Sequence, residues 1–204
     1  VPIGKYIAGK AVYKRQILEL GGNDPSVVMD DADPVKAADL AANGSYKNSG
    51  QRCTAVKRML VHEKVADAFV ERLVARTKAW SYGDPMDDSL EMGTVIDEAA
   101  AKNFEARVND AVSRGAKLLV GNVRRGAVYS PTVIDHVDPE MDVVKTETFG
   151  PVSPVIRFRD IDHAIAITNG TAYGLSSAVC TNRLDYITRF VRELNVGTVN
   201  VREV

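Results

Sequence analysis

Val27-Val28-Met29-Asp30-Asp31-Ala32-Asp33-Pro34 opens the stretch that decides the fold, and Met59-Leu60-Val61 closes it. Val27-Val28-Met29 is a short apolar run. Asp33 then has the character of a helix N-cap, with Pro34 in the first turn where its missing N–H costs nothing. The expected helix runs from there to about Asn48. Gly50 lies just past its end, where glycine relieves a left-handed cap. Met59-Leu60-Val61 is strand-like.

The same alternation continues outward. Upstream, Ile17-Leu18 reads as the end of a short strand, followed by Glu19-Leu20-Gly21-Gly22. Downstream, Val65, Phe69 and Leu73 recur every four residues and predict an amphipathic helix over 64–80. Another helix is expected over 98–114, stopping at Gly115. Strands are expected at 117–120, 152–158, 175–180 and 197–201, and helices at 160–169 and 184–194. Strand and helix in alternation argue an α/β fold with a mainly parallel sheet flanked by helices. No repeat, low-complexity segment or long linker interrupts it.

Composition excludes several function classes. The 204 residues suffice for one domain with a sizeable core, or one domain and a piece of another. A formal net charge of −1 with 26% charged residues gives no field of one sign, so neither nucleic acid nor a membrane surface is expected as partner. No apolar stretch approaches the roughly 18 residues of a spanning helix. Val1-Pro2-Ile3-Gly4-Lys5 lacks the basic, apolar, small-residue order of a secretory signal, and it lacks a Met, which fits a processed or partial chain. The two cysteines, Cys53 and Cys180, make no disulfide framework, so a reducing, cytoplasmic setting is expected. His62, His136 and His163 are far apart with no metal-ligand spacing, and no structural metal is expected.

Three short segments carry chemistry. Cys53 sits in Gly50-Gln51-Arg52-Cys53-Thr54-Ala55, among polar neighbours where a packing cysteine would have apolar ones. The adjacent cation favours thiolate, the nucleophilic form. An inert loop cysteine would have the same local look, so this segment alone decides nothing. Glu19 ends an apolar run beside glycines that let backbone approach closely, which suits a carboxylate facing a cleft; an exposed strand-end glutamate reads the same. Glu147-Thr148-Phe149-Gly150-Pro151 offers an acid, an aromatic ring and a turn, and alone it is only a turn. Cys180, between Val179 and Thr181, is expected in the core.

In order and spacing, with Cys53 thirty-four residues after Glu19, these segments resemble the signatures of the aldehyde dehydrogenase superfamily over essentially the whole chain. Gly4 is similar to the last glycine of the Gly-Ser-x-x-x-Gly turn in that family's cofactor domain. Gly197-Thr198-Val199-Asn200-Val201 is similar to the strand before its C-terminal Pro-Phe-Gly-Gly segment. The resemblance implies residues 1–18 as the remnant of a dinucleotide-binding domain and 19–204 as a catalytic domain, truncated before its C-terminal segment.

It also implies roles. Cys53 is the nucleophile that forms a thiohemiacetal and then a thioester, and Glu19 is the base that activates water to hydrolyse it. The Cys53 N–H gives half of an oxyanion hole. Glu147 holds the nicotinamide ribose and Phe149 packs near the ring. Leu20, Gly21 and Gly4 lie along the cofactor, which is NAD or NADP with NAD favoured. The full-length protein is expected to be a homo-oligomer, and the 204 residues alone are expected to be inactive. Thr146 and Asn23 depart from the family's usual glutamate and lysine.

Arg52 bears on the substrate, because its planar guanidinium suits phosphate, phosphonate or carboxylate. Arg52 with Cys53-Thr54-Ala55-Val56-Lys57-Arg58 resembles family members acting on phosphorylated or phosphonylated aldehydes. The tail Val199-Asn200-Val201-Arg202-Glu203-Val204 and Gly21-Gly22-Asn23-Asp24-Pro25 are most similar to members acting on phosphonoacetaldehyde and, next, to those that oxidise glyceraldehyde 3-phosphate without phosphorylation. A small anionic aldehyde is therefore the expected substrate, against the alternative that Arg52 pairs with a structural carboxylate. A cysteine acyltransferase or hydrolase would instead set a histidine against the thiol, and His62 is nearest in sequence. A non-catalytic family member is a further alternative.

Overall fold

The computed structural model describes residues 1–203; Val204, at the end of the 199–204 tail, lies outside them. Nine strands are β1 (Asp24–Val28), β2 (Val56–His62), β3 (Lys117–Val120), β4 (Arg124–Arg125), β5 (Val128–Tyr129), β6 (Thr132–Asp135), β7 (Val152–Phe158), β8 (Ser176–Cys180) and β9 (Thr198–Val201). Seven of them form one sheet in the order β3-β6-β7-β2-β1-β8-β9, and β4 and β5 form a separate hairpin. Every neighbouring pair in the large sheet is parallel except β3 with β6. The expected α/β architecture is present.

Side chains alternate across the sheet and divide the core in two. Val27, Leu60, Ile156 and Val179 face α4 (Glu98–Ser113), α6 (Ile161–Asn169) and α7 (Leu184–Glu193), meeting Phe104, Ala164 and Phe190. Val28, Met59, Val61 and Val155 face α2 (Pro34–Tyr46) and α3 (Glu63–Lys78), meeting Ala38, Ala41, Phe69 and Leu73. With both faces covered, the central strands are buried end to end. Each large side chain so buried contributes about 1.5–3 kcal/mol.

The α2 helix starts as its sequence dictates. The Asp33 carboxylate accepts from the N–H groups of Val35 (3.0 Å) and Lys36 (3.2 Å), and Pro34 follows. It stops at Tyr46, two residues before the expected Asn48. Asn48, Ser49 and Gly50 all turn left-handed, with φ of 55°, 54° and 69°. A Cβ on Gly50 would collide with the Gly150 carbonyl. This tight reversal hands the chain from α2 to β2.

Five features differ from expectation. Ile17-Leu18 is not a strand: Ile17 is 89% exposed, and no neighbouring strand offers 12–23 a ladder of hydrogen bonds. Helix α1 (Pro2–Ala11) was not expected, and its Gly4 lies in a helical turn rather than a loop. The short α5 (Asp142–Lys145), the β4–β5 hairpin and β6 were also unforeseen. No helix is long and apolar enough to cross a membrane among the described residues.

Candidate active site

Parallel pairing sets the starts of β1, β2 and β7 side by side, with Asp24 opposite Val56 and Met59 opposite Val155. The segments just before them therefore converge. Glu19, Leu20, Gly21, Arg52, Cys53, Glu147 and Phe149 all line one cleft of about 550 Å³, together with Val1 and Gln51. Gly4 does not line it; it packs beneath, where a Cβ would crowd the Leu20 side chain at 2.8 Å.

Cys53 is half-buried in the turn between α2 and β2. Among the described residues no acceptor takes its backbone N–H, although Gln51 and Ala55 on either side donate to Asn48 and Arg52 carbonyls at 2.9 and 3.1 Å. The loop is also held from outside, since the Gln51 Oε1 accepts from the Ile96 N–H at 2.8 Å. Glu19 is exposed at the cleft rim on a segment without regular secondary structure, rather than partly buried at a strand end. Without a paired strand nothing draws it inward, and among the described residues no hydrogen bond or ion pair ties its carboxylate down.

Glu147 is held on every side. Its Oε1 accepts from the Gly22 N–H at 3.0 Å and pairs with the Lys57 ammonium at 3.4 Å. Its own N–H donates to the Tyr173 hydroxyl at 3.3 Å, and its carbonyl accepts from Arg107 Nη1 at 2.7 Å. A Cβ on Gly21 would collide with Glu147 Oε2, so glycine is what lets this carboxylate close on the 19–22 segment. Phe149 follows at φ 54°, a conformation costly for an aromatic residue and typical of over-determined functional loops.

Arg52 donates through Nη2 to the Gly44 carbonyl at 2.8 Å, while its Nε is buried without a partner. No carboxylate pairs with it among the described residues, so the structural ion pair considered for it is not there. Asn23 bridges two layers: its Nδ2 donates to the Val144 carbonyl at 2.7 Å, and its own carbonyl accepts from Arg58 Nε at 2.7 Å. Thr146 donates to Asp142 at 2.7 Å and merely fastens α5.

His62 is the last residue of β2, while Cys53 precedes its first, so about 20 Å of strand separates them. It is buried edge-on against Phe158, and its Nδ1 accepts the Lys64 N–H at 3.2 Å. The histidine needed by a cysteine hydrolase is not at the thiol. No cluster of three or more metal-ligating side chains occurs among the described residues.

Lys57, Arg107 and Tyr173 were not anticipated as site residues. For Lys57 a signal existed: Lys57-Arg58 places two cations between Val56 and Met59 at the start of a strand buried on both faces. Such charges persist only with dedicated partners. Arg107 and Tyr173 carry no such signal, being a helix residue and a loop residue whose partners are set by tertiary packing.

The open cleft fits a nicotinamide cofactor in its donor set. Gly21 and Gly22 leave backbone bare beside an anchored carboxylate whose Oε2 has no protein partner, and Phe149 offers a partly exposed ring.

Comparison with known proteins agrees with this geometry. The model of the aldehyde dehydrogenase family matches residues 1–204. A sulfoacetaldehyde dehydrogenase of Neptuniibacter caesariensis is 40% identical over 193 residues, 95% of this chain and 42% of the relative. The structure of a glyceraldehyde-3-phosphate dehydrogenase from Methanocaldococcus jannaschii, complexed with NADP, superposes with a TM-score of 0.95 at 38% identity, over 99% of this chain and 44% of that one. A betaine aldehyde dehydrogenase from Staphylococcus aureus, in complex with NAD+, superposes with a TM-score of 0.92 at 35% identity, over 100% and 42%. The chain thus spans about two-fifths of the length of such relatives.

Proposed function

Since this chain belongs to the aldehyde dehydrogenase family, we propose that it carries the thiol and the base of an NAD(P)-dependent oxidation of an anionic aldehyde to its acid. The observation that carries this reading is the convergence of Glu19, Arg52 with Cys53, and Glu147 on one cleft from three separate stretches of chain. Residues 1–18 are read as the end of a dinucleotide-binding domain, and 19–204 as the catalytic domain.

The Cys53 thiolate attacks the aldehyde carbon, forming a C–S bond and placing negative charge on oxygen, where the unpaired Cys53 N–H can receive it. When bound, the nicotinamide cofactor supplies a hydride acceptor, which turns the adduct into a thioester on Cys53. Glu19 takes a proton from water; the hydroxide adds to the thioester carbonyl, the C–S bond breaks, and the thiolate returns. The unbound Glu19 carboxylate is suited to this because no protein cation competes for its lone pairs. Glu147, Phe149, Leu20 and Gly21 would hold the cofactor, with Gly4 supporting Leu20 from beneath. Relatives are described with NAD+ and with NADP, and NAD is the form we propose here.

Arg52 directs the substrate reading. Arg52 lines the cleft beside the nucleophile and no carboxylate neutralises it among the described residues, so its guanidinium charge favours a phosphonate, sulfonate, phosphate or carboxylate there. A relative named for sulfoacetaldehyde, which differs from phosphonoacetaldehyde only in its anionic headgroup, supports the class.

The test uses the full-length protein. Phosphonoacetaldehyde, sulfoacetaldehyde, glyceraldehyde 3-phosphate and succinic semialdehyde are compared with propanal as substrates for NAD(P) reduction. Preference for the neutral aldehyde would overturn the anionic assignment, and no reduction with any would overturn the dehydrogenase. The 204 residues by themselves are expected to show neither turnover nor micromolar NAD binding by calorimetry.

A further inference from the structure

Lys57 is a buried cation at the floor of the site, its side chain only 2% exposed. Its ammonium donates to the carbonyl of Arg52 at 2.7 Å and that of Cys53 at 2.9 Å, and it pairs with Glu147 Oε1 at 3.4 Å. The Ala55 carbonyl is a further acceptor at 3.4 Å, so all three donors of the ammonium are engaged. Burial pushes the Lys57 pKa down, while Glu147 and then Asp24 pull it back up. So costly a group is retained only with dedicated partners, and packing around it needs no charge.

The Arg52 carbonyl belongs to the same peptide unit as the Cys53 N–H. There is no cis peptide in the chain's described residues, so in this planar trans unit the C=O and N–H point in opposite directions. Holding the Arg52 oxygen against the buried ammonium therefore turns the Cys53 N–H away from the protein floor. That N–H has no protein acceptor. A cation on the carbonyl also polarises the unit and makes its N–H a stronger donor.

We propose that Lys57 is a positioning residue that aims and polarises the Cys53 backbone N–H as an oxyanion donor, with Glu147 fixing the ammonium in place. The left-handed run at Asn48, Ser49 and Gly50 leads into this clamp, which adds to the Ala55 N–H on the Arg52 carbonyl and the Gln51–Ile96 hydrogen bond in keeping one peptide orientation. The role of the N–H in aldehyde chemistry rests on the dehydrogenase reading; its aim does not.

Two reagents separate aim from folding. p-Nitrophenyl acetate acylates a thiol through an oxyanion, whereas iodoacetamide alkylates it by displacement with no oxyanion. In full-length protein without cofactor, Lys57→Met is expected to slow acylation of Cys53 by about 10–100-fold, within the loss seen when an oxyanion donor is disabled. Iodoacetamide labelling should change less than about threefold on the same grounds. Equal slowing of both reagents, or of neither, overturns the proposal. Should Lys57→Met fail to fold, Lys57→Gln keeps donors and drops the charge; its acylation-to-alkylation ratio should still fall, and an unchanged ratio overturns the proposal. Neither rate needs NAD(P) or an aldehyde, so this result is independent of whether the protein oxidises aldehydes.

Discussion

The two cysteines lie at opposite ends of one parallel sheet. Cys53 precedes β2 at the strands' N-terminal ends, and Cys180 closes β8 at their C-terminal ends. Open α/β sheets commonly place ligands beyond the C-terminal ends, at the point where strand order reverses. That point exists here, between β1 and β8, and a cavity of about 270 Å³ lies there, lined by Cys180, Lys36 and Arg202. Yet the strained loop, the orphaned guanidinium nitrogen and the anchored carboxylate all gather at the other end. Strand direction does not make a thiol reactive; what surrounds the sulfur does. Cys53 sits half-buried in a turn beside Arg52 and above Lys57, whereas Cys180 is 5% exposed in an apolar layer that pushes its thiol up to about 11.

The sharpest way to break this contrast is to remove each sulfur in turn. Cys53→Ala in the full-length enzyme should lower kcat on the order of 10⁴-fold or more, as loss of a covalent nucleophile does. Cys180→Ala should leave kcat within about twofold, since no shared partner couples it to the cleft. Iodoacetamide, read by peptide mapping, should label Cys53 first. Labelling of Cys180 ahead of Cys53 in folded protein would reverse the assignment.

Glu19→Gln comes next. Loss of a general base should lower kcat about 10²–10⁴-fold. In the proposed mechanism only hydrolysis needs the base, so the thioester should accumulate and a single-turnover burst of NAD(P)H should survive. A variant that loses the burst as well would place Glu19 before the thioester rather than after it. Arg52→Ala is expected to cost less and to be selective. Losing one charge-assisted contact costs about 2–5 kcal/mol, so kcat/KM for the anionic aldehyde should fall about 30-fold or more at the lower end of that range. Propanal should be little affected, and equal losses for both would remove Arg52 from substrate recognition.

Much of this end of the molecule was legible in the sequence, and the limits have physical causes. Asp33-Pro34 announces α2 because capping is local, and Val27-Val28-Met29 and Met59-Leu60-Val61 announce β1 and β2 because their burial is dense. β6 is only four residues, Thr132–Asp135, with two apolar side chains between Pro131 and a left-handed His136, so no periodicity could announce it. Ile17-Leu18 misled for the converse reason: apolar residues suggest a strand, but a strand also needs a neighbour. The cleft residues Cys53, Glu19 and Glu147 stood out as polar anomalies in small-residue segments. Their clamps, Arg107 and Tyr173, did not, because each acts on Glu147 from 40 and 26 positions away through contacts only the fold creates.

The smallest expected effect tests whether burial alone separates the two thiols. The Cys180 thiol is raised from about 9 to about 11 by desolvation, and no other cause contributes. Between those values an unfolded chain releases the proton while the folded one keeps it, so the folded state loses stability as pH rises. The contribution is complete below pH 9 and is lost through about pH 11. At 1.36 kcal/mol per unit this amounts to at most about 2–3 kcal/mol. Other groups titrate in the same window, so the informative quantity is the difference between wild type and Cys180→Ala. Denaturant melts at pH 8 and pH 10.5 should show the wild type losing roughly 2 kcal/mol more than the variant. Parallel loss in both would mean that water reaches the sulfur through the 270 Å³ cavity, and the contrast with Cys53 would then rest on the neighbouring cations rather than on burial.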